Sequence, residues 1–263
     1  MPPNEALNEV GNGTGASAPE GTPEDQIRRF WDADAPTYDD SSSHQPRDPA
    51  VLAAWTAALA HLLPPAPARV LDAGAGTGFL SLIAARLGHT VTALDLSPQM
   101  LSRLQLVARA EKLEIEVVTG PAQRPPDGFD VVMERHLLWT LADPADALGS
   151  WRRAAPNGRL VLFESVWGSV DPLEMLRSSA RRALRRLRSK PASHHGSYSD
   201  SLRQSLPLGS GTPPARLVEM ATEAGWHRAR LERLRDVEWA ERCALGPLER
   251  LLGVQPRFSV VAD

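Results

Sequence analysis

Residues 70–79 read Val-Leu-Asp-Ala-Gly-Ala-Gly-Thr-Gly-Phe, and no other stretch restricts the fold as tightly. Val70 and Leu71 close a short apolar run, the mark of a buried strand edge. Gly74, Gly76 and Gly78 follow as a bend with no side chains to block a close ligand. Leu80, Ile83, Ala84 and Leu87 then recur at the spacing of one helix face. Strand, glycine bend and helix in that order make a nucleotide cradle at a helix N-terminus. Alone, the glycine pattern is weak evidence. It gains force from Val91-Thr92-Ala93-Leu94, a second strand that ends in Asp95, 23 residues after Asp72. A carboxylate about 20 residues beyond such a loop is where ribose hydroxyls are gripped.

Two ligands suit this spacing, a dinucleotide and S-adenosylmethionine. The loop opens with the carboxylate of Asp72. An anionic pyrophosphate is repelled by it, whereas the ammonium and sulfonium of S-adenosylmethionine are attracted. The charge of that one side chain favours S-adenosylmethionine.

The rest of the chain alternates strands with helices, the pattern of a doubly wound α/β fold. Residues 1–24 have almost nothing to bury and are read as a disordered tail ahead of a domain over 25–263. Helices are expected from Ile27 and over Ala50–Leu63, the latter ended by Pro64, Pro65 and Pro67. Strands are expected at Arg69–Asp72, Thr90–Asp95, Ile115–Val118, Phe129–Met133 and Arg159–Glu164. Helices fall over 77–87, from Pro98 behind a Ser97 cap, and over Pro144–Ala154. The pattern is interrupted over 167–211, then resumes with a helix at Pro214–Ala224, a strand region near 227–239 and a strand at Phe258–Val261.

Composition sets outer limits. A net charge of −3 makes no global electrostatic case for nucleic acid. Cys243 is the only cysteine, which excludes an internal disulfide and a cysteine-built metal site. No signal peptide is visible and the longest apolar stretch is too short to span a bilayer, so a cytoplasmic setting without membrane insertion is expected.

Leu71-Asp72-Ala-Gly-Ala-Gly-Thr-Gly78 and Ala93-Leu94-Asp95-Leu96-Ser97-Pro98-Gln99-Met100 resemble the first two motifs of class I S-adenosylmethionine-dependent methyltransferases. The resemblance is greatest to the quinone-biosynthesis-type group and covers residues 26–166 and 212–263. It implies a Rossmann-like, mostly parallel seven-stranded sheet closed by a reversed hairpin, with an N-terminal helical cap over 25–66. It also implies S-adenosylmethionine as cofactor.

On this reading Asp72, Gly74, Gly76 and Gly78 hold the aminoacyl end and Asp95 the ribose, while Leu96 and Met100 cover adenine or simply belong to the helix core. The family usually has Gly-Asp-Ala after strand three, whose Asp bonds the adenine amino group. Here Gly120-Pro121-Ala122-Gln123 lacks that carboxylate, which leaves the Ala122 backbone and the Gln123 amide. Phe30-Trp31-Asp32 and Tyr38-Asp39 resemble the cap, with Tyr38 the better candidate to face the sulfonium and Trp31 a packing residue.

Glu134-Arg135-His136 follows an apolar strand at the sheet's ligand-binding edge. His136 is a candidate general base or a capping residue, and Arg135 a partner for cofactor or substrate carboxylate, or a salt-bridge residue. His44 is a second candidate base, and Trp139 a candidate pocket wall. The segment lacks the Asn/Asp-Pro-Pro-aromatic motif with which the family methylates nucleic-acid bases, so base methylation is not expected.

Over 167–211, Leu173, Leu176, Ala180, Leu184 and Leu187 form an amphipathic stripe. The opposite face carries Arg177, Arg181, Arg182, Arg185, Arg186, Arg188 and Lys190. This is either a solvated face or a lid that attracts an anionic partner. His195 and Tyr198 follow on a Ser/Gly-rich hinge as candidate substrate contacts, and no third ligand supports a metal site with His194 and His195.

The expected activity is methyl transfer to oxygen or nitrogen of a small molecule, an anionic one included, in a setting of bacterial secondary metabolism. Two rivals stay open: an RNA or protein methyltransferase that uses the arginine helix, and a non-methylating protein that holds the cofactor structurally. Oligomeric state is not readable from the chain.

Overall fold

The computed structural model describes residues 21–41, 44–166, 176–181, 183 and 198–263. Seven strands form one sheet: β1 (Arg69–Ala73), β2 (Thr90–Asp95), β3 (Ile115–Thr119), β4 (Val131–Arg135), β5 (Arg159–Ser165), β6 (Arg230–Arg233) and β7 (Arg257–Ala262). Their order is β3-β2-β1-β4-β5-β7-β6. All neighbours pair in parallel except β7, which runs antiparallel to both β5 and β6.

The central strands are continuously apolar because both faces are covered. Val70, Val131, Met133, Val161 and Phe163 meet one helical layer: α2 (Pro49–Leu62), α3 (Phe79–Arg86) and α8 (Arg235–Ala244). Leu71, Val132, Leu160 and Leu162 alternate with them and meet α5 (Pro144–Ala154) and α7 (Pro214–Glu223). Trp55, Trp151 and Trp226 are fully buried in these layers. Burial of each such side chain stabilises the fold by about 1.5–3 kcal/mol or more. The helix α4 (Pro98–Glu111) covers β2 and β3, and its N-terminus is capped by the Ser97 hydroxyl.

Three boundaries differ from the sequence reading. The helix α1 (Pro23–Asp34) begins inside the stretch read as a tail, because Thr22 and Asp25 form a capping box around Pro23. Residues 1–20 lie outside the described residues. β4 is shifted two residues onward and takes in Glu134 and Arg135, which pair with Leu162 and Phe163 of β5. The region 227–239 is not one strand: β6 ends at Arg233 and α8 starts at Arg235, since Val237 and Ala240 are buried at helical spacing beside α2. A further helix, α9 (Pro247–Leu252), precedes β7.

Within 167–211 the described residues include helical positions 176–181 and the short helix α6 (Asp200–Ser205). Leu176 is 68% exposed, so this position of the apolar stripe is uncovered. Arg181 is not a solvated cation: Nη1 donates to the Leu252 carbonyl at 2.8 Å and Nη2 to Ser178 Oγ at 2.9 Å. Leu173, Leu184, Leu187, Arg182, Arg185, Arg186, Arg188 and Lys190 lie outside the described residues, as do His194 and His195.

Candidate active site

Strand order reverses between β1 and β4, and such switch points open a crevice at the carboxyl ends of the strands. A cavity of about 880 Å³, part of it open to solvent, occupies this crevice. Its wall takes in Gly74, Gly76 and Asp95 on one side and Arg135, His136 and Leu137 on the other, with Glu24, Ile27, Trp31 and Tyr38 arching over from the N-terminus.

Asp95 is aimed by backbone alone. Its Oδ2 accepts from the Gly76 N–H and its Oδ1 from the Ser97 N–H, both at 2.8 Å. Withdrawal from water raises its pKa to about 6, against the opposing effect of those N–H groups. Leu96, Met100, Ala122 and Gln123 line the same cavity beyond it. The Ala122 carbonyl is taken by Trp151 Nε1 at 2.8 Å.

The three glycines do three different things. Gly76 sits at φ +56° and a Cβ there would meet nothing within 4 Å, so it is the open floor of the cavity. At Gly74 a Cβ would lie 2.6 Å from Leu137, so this glycine lets the segment after β4 pack against the loop. Gly78 does not face the cavity. At φ +90°, with Leu104 Cγ 2.5 Å from where a Cβ would stand, it admits α4 to the loop instead.

Asp72 likewise does not reach the cavity. It is 1% exposed, and its Oδ2 accepts the Ser81 hydroxyl at 2.6 Å. Burial raises its pKa to about 7, so its charge is weakened as well as hidden. Contrary to the expectation from sequence, Asp72 makes no contact with the cavity and supports the loop from behind.

The N-terminal cap is tied to these loops through hydroxyls. Thr77 donates to Asp39 at 2.7 Å and Ser97 to Asp32 at 2.6 Å. Tyr38 lines the cavity and stacks on His44, with ring centroids 4.0 Å apart. His44 itself is not part of the wall; its Nδ1 bonds the Tyr38 carbonyl at 2.9 Å, which makes it a support for that ring. Arg135 Nη2 donates to the His44 carbonyl at 2.7 Å, and its guanidinium lies 4.1 Å from the Phe79 ring centroid. Burial lowers its pKa to about 10, so it stays cationic at neutral pH.

His136 reaches the cavity from a left-handed backbone, φ +59°, a conformation costly for a non-glycine residue. Both ring nitrogens are held: Nδ1 lies 2.9 Å from Glu164 Oε2 and Nε2 3.1 Å from Arg257 Nη1. A guanidinium only donates, so Nε2 accepts and the ring proton sits on Nδ1, directed at Glu164. Burial first, then the charges of Arg257 and Arg135, push the His136 pKa well below its ordinary value, and the ring is neutral. Arg257 is in turn held by Glu241 at 3.1 Å.

Behind His136, Glu134 and Glu164 are at most 1% exposed. Glu134 Oε2 accepts the Leu137 N–H at 2.7 Å. The Oε1 atoms of both residues are buried without a hydrogen-bond partner. Burial raises the Glu164 pKa to about 8, and burial together with the Glu164 charge raises that of Glu134 well above the usual carboxylate range. The pair therefore carries a proton at neutral pH, as closely placed buried carboxyls must.

Trp139 and Tyr198 do not line the cavity. Tyr198 is 5% exposed, packed against Phe30 at 4.8 Å and Trp139 at 5.2 Å, so these rings bury one another beneath the cap. Glu164 was within reach of sequence reasoning, since it too ends an apolar strand; Arg257 and Glu24 carried no such mark. Among the described residues no group of three His, Cys, Asp or Glu side chains is arranged to hold a metal ion, and no helix is long and apolar enough to cross a membrane.

Residues 71–162 match the family described as methyltransferase domain. A ubiquinone biosynthesis O-methyltransferase of Xanthomonas campestris pv. campestris is 31% identical over 231 residues, which is 83% of this chain and 90% of that protein. The protein of the same description from Thiobacillus denitrificans is 30% identical over 166 residues, 62% of this chain; the alignment spans 66% of its length, just under two thirds. Among solved structures, Haemonchus contortus phosphoethanolamine N-methyltransferase 2, in complex with phosphomonomethylethanolamine and S-adenosylhomocysteine, shares the fold with a TM-score of 0.57 at 17% identity, covering 92% of this chain and 60% of that one.

Proposed function

From the premise that this chain belongs to the class I S-adenosylmethionine-dependent methyltransferases, of the quinone-biosynthesis type, with S-adenosylmethionine as cofactor, we propose that it methylates an oxygen atom of a small molecule bound at the Arg135–His136 end of the cavity. The observation that carries this reading is a single cavity with a backbone-aimed carboxylate, Asp95, in one wall and a neutral histidine, His136, in the other. The relatives' description as O-methyltransferases of ubiquinone biosynthesis supports oxygen over nitrogen, and a ubiquinone-type precursor over a secondary metabolite.

The residues fit the cofactor. Asp95 has lone pairs left for two ribose hydroxyls, Gly74 and Gly76 present bare backbone to the aminoacyl end, and Leu96 and Met100 offer an apolar face to adenine. Ala122 and Gln123 would border the base, Tyr38 would face the sulfonium, and Arg135 would pair with a carboxylate of cofactor or acceptor. The cofactor supplies an already activated methyl group. The protein's part is then mainly alignment, which is worth about 7–11 kcal/mol when geometry is good. His136 receives the acceptor's proton at Nε2 once the acceptor hydroxyl replaces the Arg257 N–H there, and Glu164 holds the ring in place through the hydrogen bond it accepts from Nδ1.

The test is incubation with methyl-labelled cofactor and paired hydroxyl and amine acceptors. Release of S-adenosylhomocysteine with label on oxygen supports the reading. Label on nitrogen overturns the choice of atom, and no release with any acceptor overturns the transfer itself.

A further inference from the structure

We propose that Glu24, on the N-terminal helix, reads the exocyclic amino group of the cofactor's adenine and so selects adenosyl over other purine nucleosides; this rests on the cofactor reading above. Among the described residues two carboxylates line the cavity, Asp95 and Glu24. Asp95 is fixed at the glycine loop by Gly76 and Ser97, which sets the ribose end. The base must then extend along Leu96 and Met100 toward the turn after β3.

That turn is poor in the chemistry needed to recognise adenine. An exocyclic amino group is a donor and needs an acceptor. Pro121 offers no side-chain acceptor, and the Ala122 carbonyl already receives Trp151 Nε1 at 2.8 Å. The Gln123 amide presents a donor and an acceptor alike and accommodates an amino or a carbonyl group equally well. Glu24 supplies the missing discrimination, because a carboxylate only accepts. Its half-exposed carboxylate lines the cavity with Oε1 3.8 Å from Arg124 Nη2, which locates it at the lip of this same turn.

The helix that carries Glu24 is firmly placed. Thr22 and Asp25 bond reciprocally around its first turn. Asp32, at its far end, accepts the hydroxyl of Ser97, the residue that also donates its N–H to Asp95. The helix that carries Glu24 and the loop that carries the ribose acceptor are thus tied together through Ser97. Hypoxanthine carries a carbonyl where adenine carries the amino group, and an oxygen facing Glu24 is repelled.

Calorimetric binding of S-adenosylhomocysteine and of its inosine analogue, S-inosylhomocysteine, to the full chain tests the assignment. Wild type is expected to favour the adenosyl compound by about tenfold or more, equal to about 1.4 kcal/mol. Glu24→Ala should lose most of that preference by weakening the adenosyl compound alone, and Glu24→Gln should shift it toward the inosyl compound. Arg124→Ala, which removes only the ion-pair partner, should keep the preference. Equal weakening of both compounds in Glu24→Ala, or none, overturns the role of Glu24. Failure of wild type to bind either compound overturns the cofactor reading itself.

Discussion

The two walls of the cavity hold their charges by opposite means. On the β1–β2 side Asp95 is half-buried and its oxygens are met by backbone N–H groups, donors that come with the fold and need no particular side chain. On the β4–β5 side Glu164, His136 and Arg257 hold one another, side chain to side chain, and one oxygen each of Glu164 and Glu134 is left over. The first arrangement suits a site that binds the same ligand every time. The second sets a chain of titratable side chains beside the end of the cavity where the acceptor is proposed to bind.

Asp95→Ala gives the largest expected effect. Two charge-assisted hydrogen bonds of about 1.5–3 kcal/mol each are lost, so S-adenosylhomocysteine affinity should fall about a hundred- to ten-thousandfold by calorimetry. In wild type, protonation of Asp95 below pH about 6 should weaken binding in the same way as pH falls. An affinity indifferent to both would remove Asp95 from the ribose site.

His136→Asn should act on rate instead, lowering kcat by about 10²–10⁴-fold with cofactor affinity nearly intact. If affinity fell and kcat did not, the division between the walls would be lost.

Gly78→Ala and Gly76→Ala separate packing from binding within one loop. The first meets Leu104 at 2.5 Å in a left-handed conformation, and should cost about 2–5 kcal/mol in urea unfolding. The second bears only the backbone cost of about 1–2 kcal/mol, yet should weaken cofactor binding, since its methyl enters the cavity.

The proton held on the β4–β5 side predicts a pH effect on stability. Glu164 titrates near 8 in the folded chain against 4.5 for the free side chain. Between those values the folded state binds more protons than the unfolded one, so stability falls as pH rises, with a slope of up to about 1.4 kcal/mol per unit for one group. Glu164→Gln should flatten the slope in denaturant midpoints taken from pH 5 to pH 8, and an unchanged slope would mean that Glu164 does not carry the proton. The smallest effect belongs to His44→Ala. Loss of its stacking on Tyr38, worth about 0.5–1.5 kcal/mol, should reduce cofactor affinity only a fewfold and leave kcat unchanged if His44 is not a base.

What could be read from the chain was whatever lies close along it. The loop at 72–78, the strand behind it and Asp95 belong to one strand–helix–strand unit, so spacing alone located them. The same reading took Asp72 and Gly78 for ligand contacts because their residue types suit a ligand; type does not tell which way a side chain turns or which face of a loop meets a neighbouring helix. The β4 triplet was found as polar residues ending an apolar strand, without its partners.

Sequence alone determined the doubly wound order of elements, the glycine floor and the carboxylate beyond it, because hydrophobic period and turn chemistry act over a few residues. Tertiary structure decided the rest. Antiparallel insertion of β7 beside β5 sets Arg257 opposite Ser165, and this brings its guanidinium to a histidine 121 positions away. Folding of α1 over the cleft brings Glu24 to the turn after β3, beside Arg124, 100 positions further along the chain. Neither contact has a local signature, since each depends on which elements pack together.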